Sequence, residues 1–443
     1  MDKADSLKYR VVTLGCRVNQ YESESIAESL RLSGWQNAEI EKDADLFIIN
    51  TCTVTAKAAM QSRQAVRHMV REFPEAAVLV TGCDVQSDPH VFAQMPGVDY
   101  IIGNADKHRI NEIIADKPNS RPTLPYLICR PIFKRRKFLP TALPAVDARA
   151  RPYLKIQDGC DDFCTYCIVP YTRGPSRSLS AEAVIERIST LAANGAEEVV
   201  LTGIHLGRYG LDLSPPIPLF SLLRQIDAAD AINRVRLSSI EPKELSTEII
   251  EMAAETPRIC RHFHIPLQSG DSTILETMKR PYDPAFFKDL VWQIQERVND
   301  AAIGVDVLAG FPGEDENAFA NTYNLLASLP ITYLHVFPFS PRPQTPAGRY
   351  ANPVDPKAIK ARCALLRQLS QDKKMAFYQR QIGRVTDVIL EGKPDPVSGR
   401  FKGTSENYLQ VFTPAPKNYR NKWIKCRLTG PVVPKGIIGE MID

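Results

Sequence analysis

Ten cysteines are spread over 443 residues, and six of them fall into two patterns that could carry chemistry. The tighter is Cys160-x3-Cys164-x2-Cys167, which follows directly on the apolar run YLKIQ. Three thiolates so closely spaced in a loop can cap three corners of a cubic [4Fe-4S] cluster and leave the fourth iron open. An open iron suits chelation by the amine and carboxylate of S-adenosylmethionine (SAM), and an electron from the cluster can then break the sulfonium carbon-sulfur bond, yielding a 5′-deoxyadenosyl radical. Cys160, Cys164 and Cys167 are the expected catalytic residues. A zinc site is the weaker reading, because zinc usually takes four closing ligands from CxxC pairs; three incidental core thiols are the other. Tyr166, inside the motif, fits beside an adenosyl group or in a plain core.

Cys16, Cys52 and Cys83 are far apart in sequence, yet each ends an apolar run: VVTLGC, FIINTC and VLVTGC. Ligands of open α/β sheets gather outside the carboxyl ends of the strands, so sheet topology would bring these three together as a second metal-ligating set. Gly15 and Gly82 beside two of the thiols permit close backbone approach. Taken singly, each would more often be a small core residue. Cys129, Cys260, Cys363 and Cys426 show no such pattern and are read as structural.

Elements must position these residues. Residues 10–116 alternate short apolar runs with amphipathic stretches, a βα pattern that predicts a doubly wound parallel sheet over 1–116. Residues 117–151 have six prolines, no periodicity and the basic run Lys134 to Lys137, and read as a linker or extended arm. From 152 to 379 six further βα units, beginning YLKIQ, EVVLTG, RVRLSS, FHIPLQ, IGVDVLAG and YLHVFPF, predict a partial (βα)6 barrel with its chemistry at the strand tails. Alternating segments over 380–443, separated by Gly, Pro and Asn turns, predict a small antiparallel β-barrel. These last residues carry 11 Lys/Arg against 6 Asp/Glu, a net +5 in a chain of net +4, so the rest is close to neutral. A basic module of this kind is solvated surface or the footprint of a nucleic-acid-binding appendage.

In order along the chain, TLGCRVNQYESE, INTCTVTAKA, VTGC, IQDGCDDFCTYCIVPYTRGPSRS, LTGIHLGRYG, LSSIEP, HIPLQSGD, DVLAGFPGE and HVFPFSPRPQTPA resemble the methylthiotransferase family of radical SAM enzymes. The resemblance implies an α/β chain: a flavodoxin-like N-terminal domain, a central radical SAM barrel and a C-terminal RNA-binding TRAM barrel. It implies two [4Fe-4S] clusters, on Cys16, Cys52 and Cys83 and on Cys160, Cys164 and Cys167, with SAM used twice: once as methyl donor and once as radical source. TLGC-x-VNQYESE resembles the MtaB branch, whose members convert N6-threonylcarbamoyladenosine at position 37 of tRNA to the 2-methylthio derivative. Sister branches act on N6-isopentenyladenosine or on a ribosomal protein aspartate. GCDVQ departs mildly from the GCYAQ-like form common in the family.

For SAM, the strand tails offer Thr202 and Gly203, Ser239 and Glu241, Gln268 and Ser269, and Gly310 for close approach; Asp306 is a candidate buried anchor. Glu314 and Asp315 read as helix caps, and GFPGEDENAF lacks the Walker lysine and GxGxxG spacing of a nucleotide loop. For RNA, Lys417, Arg420, Lys422, Lys425 and Arg427 are interleaved with Tyr408, Phe412, Tyr419 and Trp423, cations for phosphates and rings for unpaired bases. At least half of those rings are expected in the barrel's own core. Arg280, Arg342 and Lys134 to Lys137 could extend an RNA path. Recognition of a threonylcarbamoyl carboxylate calls for an arginine, whose fork pairs bidentately.

The expected partners are a tRNA anticodon stem-loop, a reducing electron donor and a sulfur donor. The charged N-terminus and the lack of an 18-residue apolar run predict a cytoplasmic protein with no membrane contact; a monomer is expected, although no residue pattern specifies the oligomeric state. A non-catalytic iron-sulfur carrier is the more distant alternative, disfavoured because a carrier needs neither an open iron nor a large substrate cavity.

Overall fold

The computed structural model describes residues 7–115, 124–145, 149–392, 394–396, 398–414, 419, 421–433 and 436–442. The chain divides into two compact units. One comprises Met1–Ala145, Lys155–Leu179 and Ser340–Gly348; the other comprises Val146–Leu154, Ser180–Phe339 and Arg349–Asp443. These units cut across the boundaries expected from the sequence, because the Cys160 loop groups with the N-terminal sheet.

In the first unit, β1 (Lys8–Thr13), β2 (Gln36–Asn37), β3 (Leu46–Thr51), β4 (Ala77–Gly82), β5 (Tyr100–Ile102) and β6 (Tyr126–Ile128) form one sheet in the order β2-β1-β3-β4-β5-β6. Every pairing is parallel. Parallel strands covered on both faces read as unbroken apolar runs, and β3 is buried at every residue. Alternate side chains feed two cores. Phe47, Ile49, Val78 and Val80 pack with Val66 and Met69 of helix Ala56–Glu72; Leu46, Ile48, Leu79 and Ile102 pack with Ile26 and Leu30 of helix Arg17–Leu32. The doubly wound, flavodoxin-like sheet expected from the sequence is present. Its sixth strand was not expected: β6 lies inside the stretch read as a linker, where three residues among prolines are too few to show a period of two. Residues 116–123 and 146–148 of that region lie outside the described residues.

After β7 (Tyr153–Lys155), the short antiparallel pair β8 (Gln157–Asp158) and β9 (Arg177–Ser178) encloses the cysteine loop and helix Val169–Arg173.

In the second unit, β7 adjoins β10 (Glu198–Thr202), which pairs with β11 (Arg234–Leu237), while β12 (His262–Gln268), β13 (Ala302–Ala309) and β14 (Tyr333–Pro338) form a second parallel set. A bridge between Val235 and Ile259, and a bond from Ile240 N–H to His264 O at 3.0 Å, join the sets into one open arc of six strands in chain order. This is the partial barrel. Beyond helix Pro356–Gln379, strands β15 (Val385–Glu391), β16 (Phe401–Ser405), β17 (Gln410–Thr413), β18 (Trp423–Val433) and β19 (Gly436–Ile442) close a barrel in the order β15-β16-β17-β19-β18. All its pairings are antiparallel except β17 with β19. Val388, Leu390, Val411, Cys426, Leu428 and Ile437 fill it, and Phe377 and Tyr378 of the preceding helix add to that core.

An ion pair fastens the two barrels. Glu198 is 0% and Arg236 1% exposed. The Arg236 guanidinium donates to both Glu198 oxygens at 2.7 and 3.2 Å and to the carbonyls of Ser405 and Glu406 at 2.9 Å each. Burial alone would raise the Glu198 pKa, but Arg236 and Arg151 hold it below the usual carboxylate range. Arg236→Met leaves the buried Glu198 carboxylate only the longer contacts to Arg234 and Arg151, at 3.7 and 3.8 Å, and is expected to cost about 3 kcal/mol at neutral pH. The folded pKa of Glu198 is depressed, so its contribution is present above the unfolded pKa and fades as pH falls through the folded value. Urea denaturation at pH 7 and pH 4 should therefore give a variant deficit that narrows on acidification; an unchanged deficit would contradict an electrostatic tie.

Candidate metal centre and active site

The order of the first sheet reverses between β1 and β3, and the connections leaving their carboxyl ends diverge to opposite sides, opening a crevice. Cys16 caps helix Arg17–Leu32 on the β1 side, Cys52 follows β3, and Cys83 opens helix Cys83–Ser87 after β4. Asn19 Nδ2 donates to Leu14 O at 2.8 Å and Thr51 O at 2.9 Å, pinning the two strand ends together, and Cys52 N–H donates to Ser62 Oγ at 3.0 Å. Gly15 has φ +99°, and a Cβ there would lie 2.7 Å from Cys52 Sγ. The glycine makes room for a thiol.

The topology brings the three thiols into mutual electrostatic contact. Cys52 and Cys83 are buried; Cys16 is exposed as a residue, yet burial of its thiol is the largest influence on it and raises its pKa. Burial, with Cys83 beside it, pushes Cys52 up to about 12. Burial thus disfavours the thiolates of Cys16 and Cys52 despite the nearby Arg173 guanidinium, and a metal ion is the kind of charge that would draw off their protons.

Sequence reasoning missed a buried ionic network beside them. Arg173, 1% exposed, donates through Nε to Cys83 Sγ at 3.3 Å and through Nη1 to Glu22 Oε1 at 2.5 Å. Glu22 also accepts from Lys155 at 2.8 Å and Lys107 at 2.6 Å, and Asp158 accepts from Arg177 at 2.8 Å. Burial would raise the Glu22 pKa, but Arg173, Lys107 and Lys155 hold it well below the carboxylate range. The available signal was a carboxylate on the apolar face of a helix, one turn from Val18 and Ile26.

In the loop, Cys164 is buried and Cys160 and Cys167 partly so. Cys160 N–H donates to Gly174 O at 3.0 Å and Cys167 N–H to Cys164 O at 2.9 Å, folding the three thiols within electrostatic reach of one another, and burial raises the Cys160 pKa. Tyr166 is half-buried in the same loop.

In the second unit, the other expected SAM residues line the carboxyl edge of the arc with unequal freedom. Thr202 ends β10 and Gly203 follows it. Ser239 Oγ lies 2.5 Å from His264 Nδ1, and Glu241 pairs with Arg280. Gln268 sits at a β-bulge with φ +68°. Ser269 is buried against Thr322. At Gly310 the space a Cβ would need is taken by Ile359, 2.3 Å away, so its openness serves packing. Glu314 is no simple cap: it accepts from Gly310 N–H at 2.9 Å and pairs with Arg362 at 2.7 Å, while Asp315 does cap its helix. Asp306 bridges His264 at 3.1 Å and His335 at 3.2 Å, which hold its carboxyl well below the usual range against the pull of burial.

Among the expected RNA-contacting residues, Lys417 and Arg420 lie outside the described residues. Lys422 is exposed, and Lys425 and Arg427 share the exposed face of β18. Several rings are already engaged: Tyr408 stacks on His262 at 4.2 Å, Tyr419 packs on the barrel core, and Arg234 lies 3.8 Å over Trp423. Phe412 is half-buried. In the basic run, Arg135 donates to the carbonyls of Asn104 and Ala105 at 2.8 and 3.2 Å.

Residues 8–103 match the uncharacterized protein family UPF0004, and residues 154–326 match the radical SAM superfamily. The threonylcarbamoyladenosine tRNA methylthiotransferase MtaB of Bacillus subtilis (strain 168) is 36% identical over 94% of this chain and 92% of its own length. That of Rickettsia prowazekii is 36% identical over 96% and 98%. A tRNA-2-methylthio-N(6)-dimethylallyladenosine synthase of Parafrankia is 30% identical over 98% of the chain and 86% of its own. Among solved structures, the radical SAM methyltransferase TsrM from Kitasatospora setae matches with TM-score 0.58 at 17% identity, covering 77% of each chain, a likeness of fold. Among the described residues no helix is long and apolar enough to cross a membrane. With that identity sustained over nearly the whole chain, and with the radical SAM match spanning the Cys160 loop, this protein belongs to the radical SAM tRNA methylthiotransferase family.

Proposed function

We propose that the chain converts N6-threonylcarbamoyladenosine at position 37 of tRNA to its 2-methylthio derivative. The observation that carries this reading is the 36% identity to the Bacillus subtilis MtaB methylthiotransferase over 94% of the chain. In this reading residues 152–379 are the radical SAM domain, and Cys160, Cys164 and Cys167 hold the cluster that binds SAM. Cys16, Cys52 and Cys83 hold a second cluster. The fit is chemical: three thiols gathered at a strand-end crevice, sheltered from water, with the Arg173 guanidinium placed to offset the negative charge of a thiolate-bound group. Bound there, the two clusters and two SAM molecules would supply a methyl group from one SAM and a 5′-deoxyadenosyl radical from the other.

This chain's own residues do the positioning. Ser239 and Glu241 present polar groups at the barrel edge, the latter oriented by Arg280, whose Nε is itself braced by Tyr282 OH at 3.0 Å. The residues of 380–443 serve as a TRAM-like RNA-binding module, with Lys422, Lys425 and Arg427 along its open face. Position 37 lies in an unpaired loop, the kind of RNA element whose bases can be splayed out.

Anaerobic incubation of the iron-loaded protein with SAM, a reductant and tRNA carrying threonylcarbamoyladenosine is expected to give a 2-methylthio nucleoside on mass spectrometry. Formation of 5′-deoxyadenosine with unchanged tRNA would move the substrate to isopentenyladenosine tRNA or a ribosomal protein aspartate. Absence of both with intact clusters would favour a carrier.

The two cysteine sets should fail differently. Cys164→Ala is expected to abolish 5′-deoxyadenosine formation, whereas Cys52→Ala should retain it and lose sulfur insertion. Loss of both activities in a Cys52→Ala protein that still binds the iron of one cluster would refute separate roles.

A further inference from the structure

Within the first unit, a groove of about 300 Å³ beside the Cys52 turn is lined by Ala56, Ala59, Met60, Arg63, Arg67 and Arg342. Three arginines line it, and one of them is paired with a carboxylate. Arg63 Nε donates to Asp84 Oδ2 at 3.1 Å, and Asp84 Oδ1 accepts from Thr53 Oγ1 at 2.9 Å. Arg342, 8% exposed, donates from Nη2 to that same Thr53 Oγ1 at 2.5 Å, and its buried Nε has no hydrogen-bond partner. Arg67 is exposed, and no carboxylate pairs with it among the described residues. A buried guanidinium N–H without an acceptor is costly unless something supplies one, and the groove holds two positive charges in excess of Asp84. Its location is fixed by the residue after Cys52: Thr53 receives Arg342, and Ser62, on the arginine-bearing helix, exchanges hydrogen bonds with the Cys52 backbone N–H and C=O at 3.0 Å each.

We propose that Arg342, Arg67 and Arg63 form an oxyanion site that grips an anionic group of the tRNA substrate next to Cys52. The proposal rests on the function proposed above. The planar fork of an arginine matches both of the anions that such a substrate presents near position 37, the carboxylate of the threonylcarbamoyl group and a phosphate of the loop backbone. An anion held here brings the modified base alongside the thiol set to which the second cluster is assigned. Arg342 is then a binding residue, Thr53 and Asp84 its positioning residues, and neutral N6 substituents gain nothing from the site when the carboxylate is the anion held.

The test is binding of anticodon stem-loops to the iron-loaded full chain, using loops that carry threonylcarbamoyladenosine, its methyl ester or plain adenosine at position 37. Wild type should bind the free acid about tenfold more tightly than the ester, the scale of one charge-assisted contact, and Arg342→Met and Arg67→Met should each shrink that preference. Equal weakening of all three loops, with a salt dependence shallower by about one counterion, would support the site and assign the anion as phosphate. Arg67 is exposed, so Arg67→Met tests the site even where Arg342→Met perturbs folding or iron content. Unchanged affinity and unchanged preference in both variants would overturn the proposal. Discrimination of acid from ester by a wild type that forms no 2-methylthio product would instead leave the site standing and refute the proposed reaction.

Discussion

The first unit depends on how one carboxylate is buried. Glu22 sits on the inner face of helix Arg17–Leu32, where isolation would make its charge untenable, and it is held there by Lys107, Lys155 and Arg173, which come from three separate stretches of chain. Each cation is itself too buried to stand alone, so the four groups are stable together and costly apart. The sheet, the crevice and the cysteine loop are fastened at this one point. Arg173 carries the arrangement outward to Cys83.

Much of this was legible in the residues. The doubly wound sheet was readable because β3 and β4 are continuous apolar runs, and the gathering of Cys16, Cys52 and Cys83 followed from their common place after strands. The six-unit arc was equally plain. What escaped was of two kinds. Strand β6 is too short to carry a periodic signature. The partners of charged side chains are set by tertiary contacts across 85 to 151 positions, as for Glu22 with Lys107 and Arg173, and no local pattern encodes them.

Residues expected at the SAM edge show the same division. Ser239 and Glu241 were singled out by position, but the groups that orient them, His264 and Arg280, come from other turns of the arc. Gly310 lies at the strand tail suited to the approach of a ligand, and its missing side chain also admits Ile359 of the long helix. Aromatics of the C-terminal barrel divide between stacking platforms and structural rings, and Tyr408 and Trp423 have ring or guanidinium partners within the fold. Spacing identifies which residues are chemical; packing decides which are free to act.

The helix Val169–Arg173 begins two residues after Cys167 and ends on the guanidinium that touches Cys83. The two sets of thiols are therefore shaped together. The seat of the loop thiols and the seat of the sheet thiols share one fastening, so a nascent chain that has not closed the N-terminal sheet presents neither in finished form.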